Sequence, residues 1–546
     1  MKLKSIMTYL KRGYYNINGL NGIILILYLT FIISARIFIS WRGDFTLLFV
    51  AAILLVLASA SYICPIILQK VKGLNIDLKE NKMSKKEKYI WIICFFSATF
   101  MILLTWYLAY YPGIFSGDAI DQYGQALDGE YNDWHPALQT LFTYTLPLKI
   151  TGRAESIILF QILEFSGVLS YLLYTILRYT KKKYAIFSFF YIILNPVTGS
   201  ILMRPWKDVP FAMSAMLLMA YGLHIYITDG KWMYKKGSVP VFVGVLVVAT
   251  LFRHNAILFT VPFLAAVLLF IKNKKLCLKI VLYFIVLIML IKDPVYYTVG
   301  VAMPGKRQLE MLGLPMTMLG NVAKESSESF DQKTGEFMFS VAPKEDWETL
   351  YICGSFNSIK WEDRTNLDII EETGAAEILF MTIRTLVKAP ISSLIAFFIL
   401  TDMVYTLDGY CSWDISLDIS ENNYNVKTHK IVGSEVLVTY SDMMLDGVLK
   451  YVFYYIGVIN LAVIVSVLGK YNRKNECKRV FLCIPILIYN FGTMFLLSGS
   501  DFRFFYLNFS ICPIIMIILY GRRVHDGIIE INRKKGDFRG KIEASD

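Results

Sequence analysis

The chain has 546 residues, 56% of them hydrophobic and 18% charged, with a net charge of +12 and 37 Phe, 35 Tyr and 9 Trp. Several apolar runs reach the roughly 20 residues that cross a hydrocarbon core, which excludes one large soluble α domain. The Lys and Arg residues fall in short clusters between those runs rather than along one face, so the charge reads as a topology signal and no nucleic-acid partner is expected.

The first run, 22–40, follows MKLKSIMTYLKR and is as long as a full span, with no small-residue cleavage site, so it is expected to stay as an anchor. Helices are predicted next at 45–69, 89–110, 155–179, 184–203 and 209–227. The stretch 238–271 is interrupted by Arg253-His254-Asn255, and the remaining runs are 276–291, 451–468, 480–498 and 504–520. Basic clusters occupy every second connection: Lys2 to Arg12, then 70–88, 181–183, 231–236, 272–275, 470–479 and the tail from Arg522. Both termini are therefore expected in the cytoplasm. Parity requires 238–271 to cross twice, and it leaves the apolar run 389–403 in or on the interface.

The expected fold is an all-α polytopic protein of a bacterial cytoplasmic membrane, with about twelve transmembrane helices. Its parts are an N-terminal bundle over 1–291 carrying a polar external loop at 111–153, a large mixed external insertion over 292–450, C-terminal helices over 451–520 and a basic tail over 521–546. Eight Cys are scattered without zinc spacing. Cys353 and Cys411, both in the insertion, could pair if that region faces an oxidising space.

Four polar groups fall on the external side. In YYPGIFSGDAIDQYGQALDGEYNDWHP, Pro112-Gly113 stops the preceding helix. Asp118 and Asp121 are three apart, which on a helical turn points both carboxylates to the same side. Such a pair can split its pKa values and leave one member as a base, or it can simply cap and solubilise a loop. His135 could bind an acceptor, hold a metal, orient a carboxylate or start a helix before Pro136. The second group, Arg204-Pro205-Trp206-Lys207-Asp208, concentrates basic residues where the positive-inside rule disfavours them, which points to a bound anion, the alternative being Lys and Arg side chains that snorkel at a helix turn. The third is Arg253-His254-Asn255, where the Arg needs a carboxylate such as Asp118 or Asp208, or a lipid phosphate. The fourth is Asp501-Phe502-Arg503 at the last outer turn.

Cations around a carboxylate-rich loop suit a phosphate held beside a base that activates a hydroxyl. The donor expected at an outer membrane face is a polyprenyl phosphate bearing a sugar, with an extracytoplasmic acceptor and membrane lipids as the other partners. Asp118 is the preferred base, with Asp121 and His135 in support. Arg204, Lys207, Arg253, His254 and Arg503 are expected at the donor phosphate, and Gln122, Asp208, Asn255 and Asp501 support them. Asp118, Asp121 and His135 could also hold a divalent metal; no other cofactor is expected.

PGIFSGDAIDQ at 112–122, RPWKDVPF at 204–211, LFRHNAI at 251–257 and DFRFFY at 501–506 resemble the external turns of the integral-membrane glycosyltransferases of the GT-C type. The chain is also similar to a bacterial multi-pass family carrying a PG-x-x-S-x-D-x-x-x-Q loop and a W-H-P segment, here Pro112, Gly113, Ser116, Asp118, Gln122 and Trp134 to Pro136. The resemblance implies transfer from a lipid-linked sugar with an acidic residue of the first large loop as base. Two departures stand out: Ala119-Ile120 separates the acidic pair, which is adjacent in the wider superfamily, and two extra helices precede the one leading into the loop. The alternatives are a multi-pass transporter or lipid flippase, and a lipid-linked glycan polymerase or ligase.

Overall fold

The computed structural model describes residues 19–42, 47–305, 308–409, 411, 419–429, 433–471 and 477–524. The N-terminal basic cluster and the basic tail beyond residue 524 lie outside the described residues. What is described is almost wholly helical.

The Glu155–Tyr179 helix is the axis of the bundle, packed between Lys85–Ala109 on one side and Asp208–Ile227 on the other. Lys85–Ala109 starts at a capping box: the Ser84 hydroxyl accepts from the Glu87 amide at 3.1 Å, and the Glu87 carboxylate accepts from the Ser84 amide at 2.8 Å. Asp208–Ile227 is apolar on every side and nearly all of it is buried, as a helix at the centre of a large core must be. The Phe502–Tyr520 and Ser238–Leu251 helices pack on its other flanks. Gly19–Ser40 and Leu47–Gly73 pack on each other, and Leu47, Leu48, Leu54, Leu55 and Ile63 stay exposed.

Among the described residues, seven helices are long and apolar enough to cross a membrane, or nine if each of two bent pairs is one span. The all-α polytopic class is therefore present, while the count of twelve is not reached. Of the expected spans that fall short, 184–203 breaks at Asn195-Pro196: proline supplies no N–H, and the Asn195 side chain caps a new turn by accepting from the Val197 amide at 2.9 Å. The Lys182–Ile193 piece that remains is only about 18 Å long at 1.5 Å per residue. The run 238–271 does fold as two helices meeting at Arg253, as expected, but Ser238–Leu251 and His254–Leu268 are each shorter than 18 residues. Lys274–Leu290 runs on through a π turn at Ile291–Val295 that carries Lys292, Asp293 and Pro294. The apolar run 389–403 forms the second arm of a pair, Ala375–Lys388 and Pro390–Tyr405, bent by 118°.

The insertion builds its own core from Leu312, Met316, Leu319, Phe337, Trp347, Tyr351 and Phe356, against which Trp134 packs. It therefore sits on the polar 111–136 stretch. Cys353 and Cys411 are both free thiols. Cys353 packs against Phe38, Phe49 and Ile395, while the Cys411 carbonyl accepts from the Tyr454 hydroxyl, so the possible disulfide is not formed. One feature lies outside the all-helical expectation: Ile76–Leu78 pairs in parallel with Gly521–Arg523 at the opposite end of the bundle.

Candidate active site

The 111–136 stretch is not the continuous loop expected from its polarity, because residues Gly117–Asp128 form a helix that ends at Gly129 in the left-handed region (φ +77°). The chain ahead of it is strapped to the 203–207 turn. Gly113 has φ +127°, and a Cβ there would stand 2.5 Å from Ile158 Cγ1, so glycine is required. The Ile114 amide donates to the Met203 carbonyl at 2.8 Å, and Trp206 Nε1 donates to the Ser116 hydroxyl at 2.8 Å. Two stretches some ninety residues apart in sequence thus share one wall.

On the Gly117–Asp128 helix, Asp118 and Asp121 do share a side, as their spacing predicts. Asp118 sits in the first turn, where the helix dipole favours an anion. Its Oδ2 accepts from Arg503 Nη1 at 2.9 Å. Arg503 is aimed there by Asp501, whose carboxylate accepts from the Arg503 backbone amide at 3.0 Å and pairs with its Nε at 2.8 Å. The guanidinium also lies over the Trp206 ring at 4.9 Å.

His135, 3% exposed, links the second carboxylate to the second cation. Lys207 Nζ lies 3.2 Å from His135 Nδ1, and His135 Nε2 lies 3.9 Å from Asp121 Oδ2. An ammonium can only donate, so the ring proton is assigned to Nε2, facing Asp121. Asp121 is further positioned by Gln125 Nε2, which donates to Oδ2 at 2.8 Å.

The electrostatics separate the two carboxylates. Burial opposes the Asp118 charge, but Arg503, His135 and Lys207 outweigh it and hold its carboxyl well below the usual range. Asp121 moves the other way: partial desolvation, with the Asp118 charge beside it, raises its carboxyl despite the Gln125 hydrogen bond. Burial pushes the Lys207 ammonium down to about 8, with Asp118 counteracting.

Burial first, and then the Lys207 charge, pushes His135 down from 6.5 to about 3, so the ring is neutral at neutral pH. The unfolded chain takes up that proton near pH 6.5 and the folded protein does not, so the unfolded state binds more protons, and stability falls as pH drops from 6.5 towards 3. Tryptophan-fluorescence melts across that window are expected to show the loss, with a shallower dependence in His135→Gln. An equal dependence in the variant would assign the acid sensitivity elsewhere.

The remaining expected residues divide. Arg253 (5% exposed) forms a buried ion pair with Asp208 (2% exposed), the carboxylate answer to its burial. Its Nε donates to Asn255 Oδ1 at 2.5 Å, and Asn255 Nδ2 donates to Thr493 Oγ1 at 2.9 Å. Arg253 is one ring removed from Arg503: both guanidinia stack on Phe504, at 4.9 and 5.2 Å. Arg204 is buried beside Trp206, 4.9 Å from its ring. Gln122 is buried and donates to Gln139 Oε1 and Thr140 Oγ1 at 2.5 and 2.8 Å, so it fastens the helix to the next one. His254 is exposed, with Nε2 3.0 Å from the Asp133 carbonyl oxygen.

Among the described residues no group of three or more His, Cys, Asp or Glu could hold a metal ion. Asp118 and His135 are instead engaged by Arg503 and Lys207, whose charges oppose a cation at that point. The expected metal option at Asp118, Asp121 and His135 is therefore not supported by their geometry.

Sequence reasoning missed several neighbours. Lys292 Nζ binds Asp133 Oδ2 at 2.6 Å, while Asp133 Oδ1 accepts from the Ala137 amide at 3.0 Å. From the insertion, Glu310 pairs with the buried Lys360 at 2.5 Å and lies close enough to act electrostatically on Lys207. Lys360 also lies 6.0 Å over the Trp134 ring. Trp134 next to His135 was the one sequence signal that could have pointed to this contact. Against protein-family models, curated proteins and solved structures, the chain has no match.

Proposed function

We propose that the chain is a membrane glycosyltransferase that moves a sugar from a polyprenyl-phosphate donor onto a hydroxyl of an extracytoplasmic acceptor. The observation that carries this reading is the convergence of Asp118, Asp121, His135, Lys207 and Arg503 from three separate parts of the chain at the helix ends: Arg503 pairs with Asp118, Lys207 bonds His135, and the neutral His135 ring faces Asp121 at 3.9 Å. In this reading the base is Asp121 rather than Asp118. A base works best with a pKa near the operating pH, and Asp118 is neutralised by Arg503 whereas Asp121 is raised and more exposed.

The acceptor hydroxyl gives its proton to the Asp121 carboxylate while its oxygen attacks the anomeric carbon. The bond from that carbon to the phosphate oxygen breaks, and polyprenyl phosphate leaves with the electron pair. Lys207 and the partly exposed Arg503 stabilise the charge that develops on the leaving phosphate. His135 keeps the Lys207 ammonium and the Asp121 carboxylate in register. Arg253, held by Asp208, backs this cluster through Phe504 without reaching the donor.

The test is release of polyprenyl phosphate from lipid-linked sugar donors by the purified protein. Lys207→Met is expected to lower kcat by about 10² to 10³-fold, the usual cost of one lost transition-state donor. Unchanged turnover would remove Lys207 from the phosphate site. The helices broken at Asn195-Pro196 and at Arg253 favour a carrier as the second reading. Carriers place such breaks around a midplane site, whereas the cluster of Asp118, Asp121, His135, Lys207 and Arg503 lies at one end of the bundle.

A further inference from the structure

At the far end of the bundle, one length of the Lys85–Ala109 helix (about 37 Å at 1.5 Å per residue) from the Asp118 cluster, lies a cavity. It measures about 1040 Å³ and is lined by Lys79, Lys82, Lys85, Lys88 and Arg178, with Glu80 as the one acidic residue among its lining. Glu80 Oε1 is taken by Arg178, which donates to it from Nε at 2.9 Å and Nη2 at 2.5 Å.

A run of lysines beside a membrane helix is ordinarily a solvated topology signal, and such a run needs no fixed shape. This one is fixed. Ile76–Leu78 is paired with Gly521–Arg523, and the Val524 amide continues the pairing to the Leu78 carbonyl at 3.1 Å. The Lys79 and Asn81 amides donate to the Tyr179 and Arg178 carbonyls at 3.0 and 2.8 Å. Asn81 Nδ2 donates to the Leu177 and Thr180 carbonyls at 2.7 and 2.6 Å. The linker is thereby held as a wall against the end of Glu155–Tyr179, and Lys88 is laid over the Tyr174 ring at 5.2 Å.

We propose that this cavity binds the phosphate of an anionic phospholipid headgroup from the leaflet at that end. Basic cavities between membrane helices recognise headgroups in this way. A lipid is favoured over a soluble phosphate by the surface next to the cavity. Lys85, Tyr89 and Ile93 share one helix face at i, i+4 spacing, and Tyr89 and Ile93 are each 60% exposed. A headgroup among the lysines would have its acyl chains against that apolar stripe.

The test uses the full-length purified protein, with phosphatidylglycerol, phosphatidylcholine and inorganic phosphate as probes, bound lipid read by native mass spectrometry and stabilisation read by melting. Phosphatidylglycerol is expected to bind and stabilise in preference to phosphatidylcholine. Lys82→Gln/Lys85→Gln/Lys88→Gln is expected to weaken it on the order of a hundredfold, about fivefold per lysine. The equally charged Lys231→Gln/Lys235→Gln/Lys236→Gln is expected to retain it. If the first triple variant does not fold, Lys82→Gln/Lys85→Gln, both at exposed positions, is expected to lose roughly twentyfold. Undiminished binding in the cavity variants, or an equal loss in the Lys231 variant, would overturn the proposal. Stabilisation by inorganic phosphate equal to that by phosphatidylglycerol would overturn the lipid assignment.

Discussion

Asp121→Asn is expected to lower kcat for sugar transfer by about 10² to 10⁴-fold, the range that general-base catalysis contributes, with little change in donor KM. The substitution keeps the shape of the side chain and its place beside Gln125 and His135. It removes the only one of the two carboxylates that no cation neutralises at hydrogen-bond distance. Asp118→Asn predicts a different signature, because it leaves Arg503, still aimed by Asp501, without its 2.9 Å carboxylate partner. Its main effect is expected on donor binding, so KM rises along with the fall in kcat. Steady-state kinetics of the two variants, each checked for folding by its melting curve, separates the roles. If Asp118→Asn abolishes kcat alone while Asp121→Asn retains turnover, the assignment of the base is reversed.

Breaking the Arg253–Asp208 pair is expected to have the largest effect on stability. Either Arg253→Met or Asp208→Asn leaves its partner's charge buried, at a cost of about 3–5 kcal/mol. The pair stands at the first turn of Asp208–Ile227, the most enclosed helix of the bundle, so the loss falls on the centre of the core. The double variant Arg253→Met/Asp208→Asn removes both charges and is expected to recover most of the lost stability, since buried ion pairs and apolar replacements are often of similar stability. Thermal unfolding of the purified proteins measures this. A double variant as unstable as the two single ones combined would show that Arg253 and Asp208 act through other partners.

The legible part of the architecture was the part that hydropathy alone controls. The helices ending at Tyr179 and Ile227 and those starting at Lys85 and Phe502 fall within a few residues of the apolar runs. What parity could not supply was whether an apolar run is straight. Asn195-Pro196 and the π turn at Lys292 are local backbone events: the first cuts an expected span into shorter pieces, and the second carries the helix past its expected end at 291. Within the site, the i, i+3 spacing of Asp118 and Asp121 and the basic exceptions at Lys207 and Arg503 pointed to groups that do converge. Spacing could not say that Arg253 spends its charge on Asp208, or that Gln122 turns inward to Gln139. Those choices are made by tertiary packing. The contributions of Glu310 and Lys360 come from a separately cored insertion far away in sequence, announced only by Trp134 beside His135.

The central claim is tested most directly in proteoliposomes carrying a polyprenyl-phosphate-linked sugar and a hydroxyl acceptor. The account predicts that the sugar appears on the acceptor with equimolar release of polyprenyl phosphate, and that Asp121→Asn, folded and present at the same level, loses both. Movement of the intact lipid-linked sugar between leaflets without any transfer, undiminished in Asp121→Asn, would contradict it.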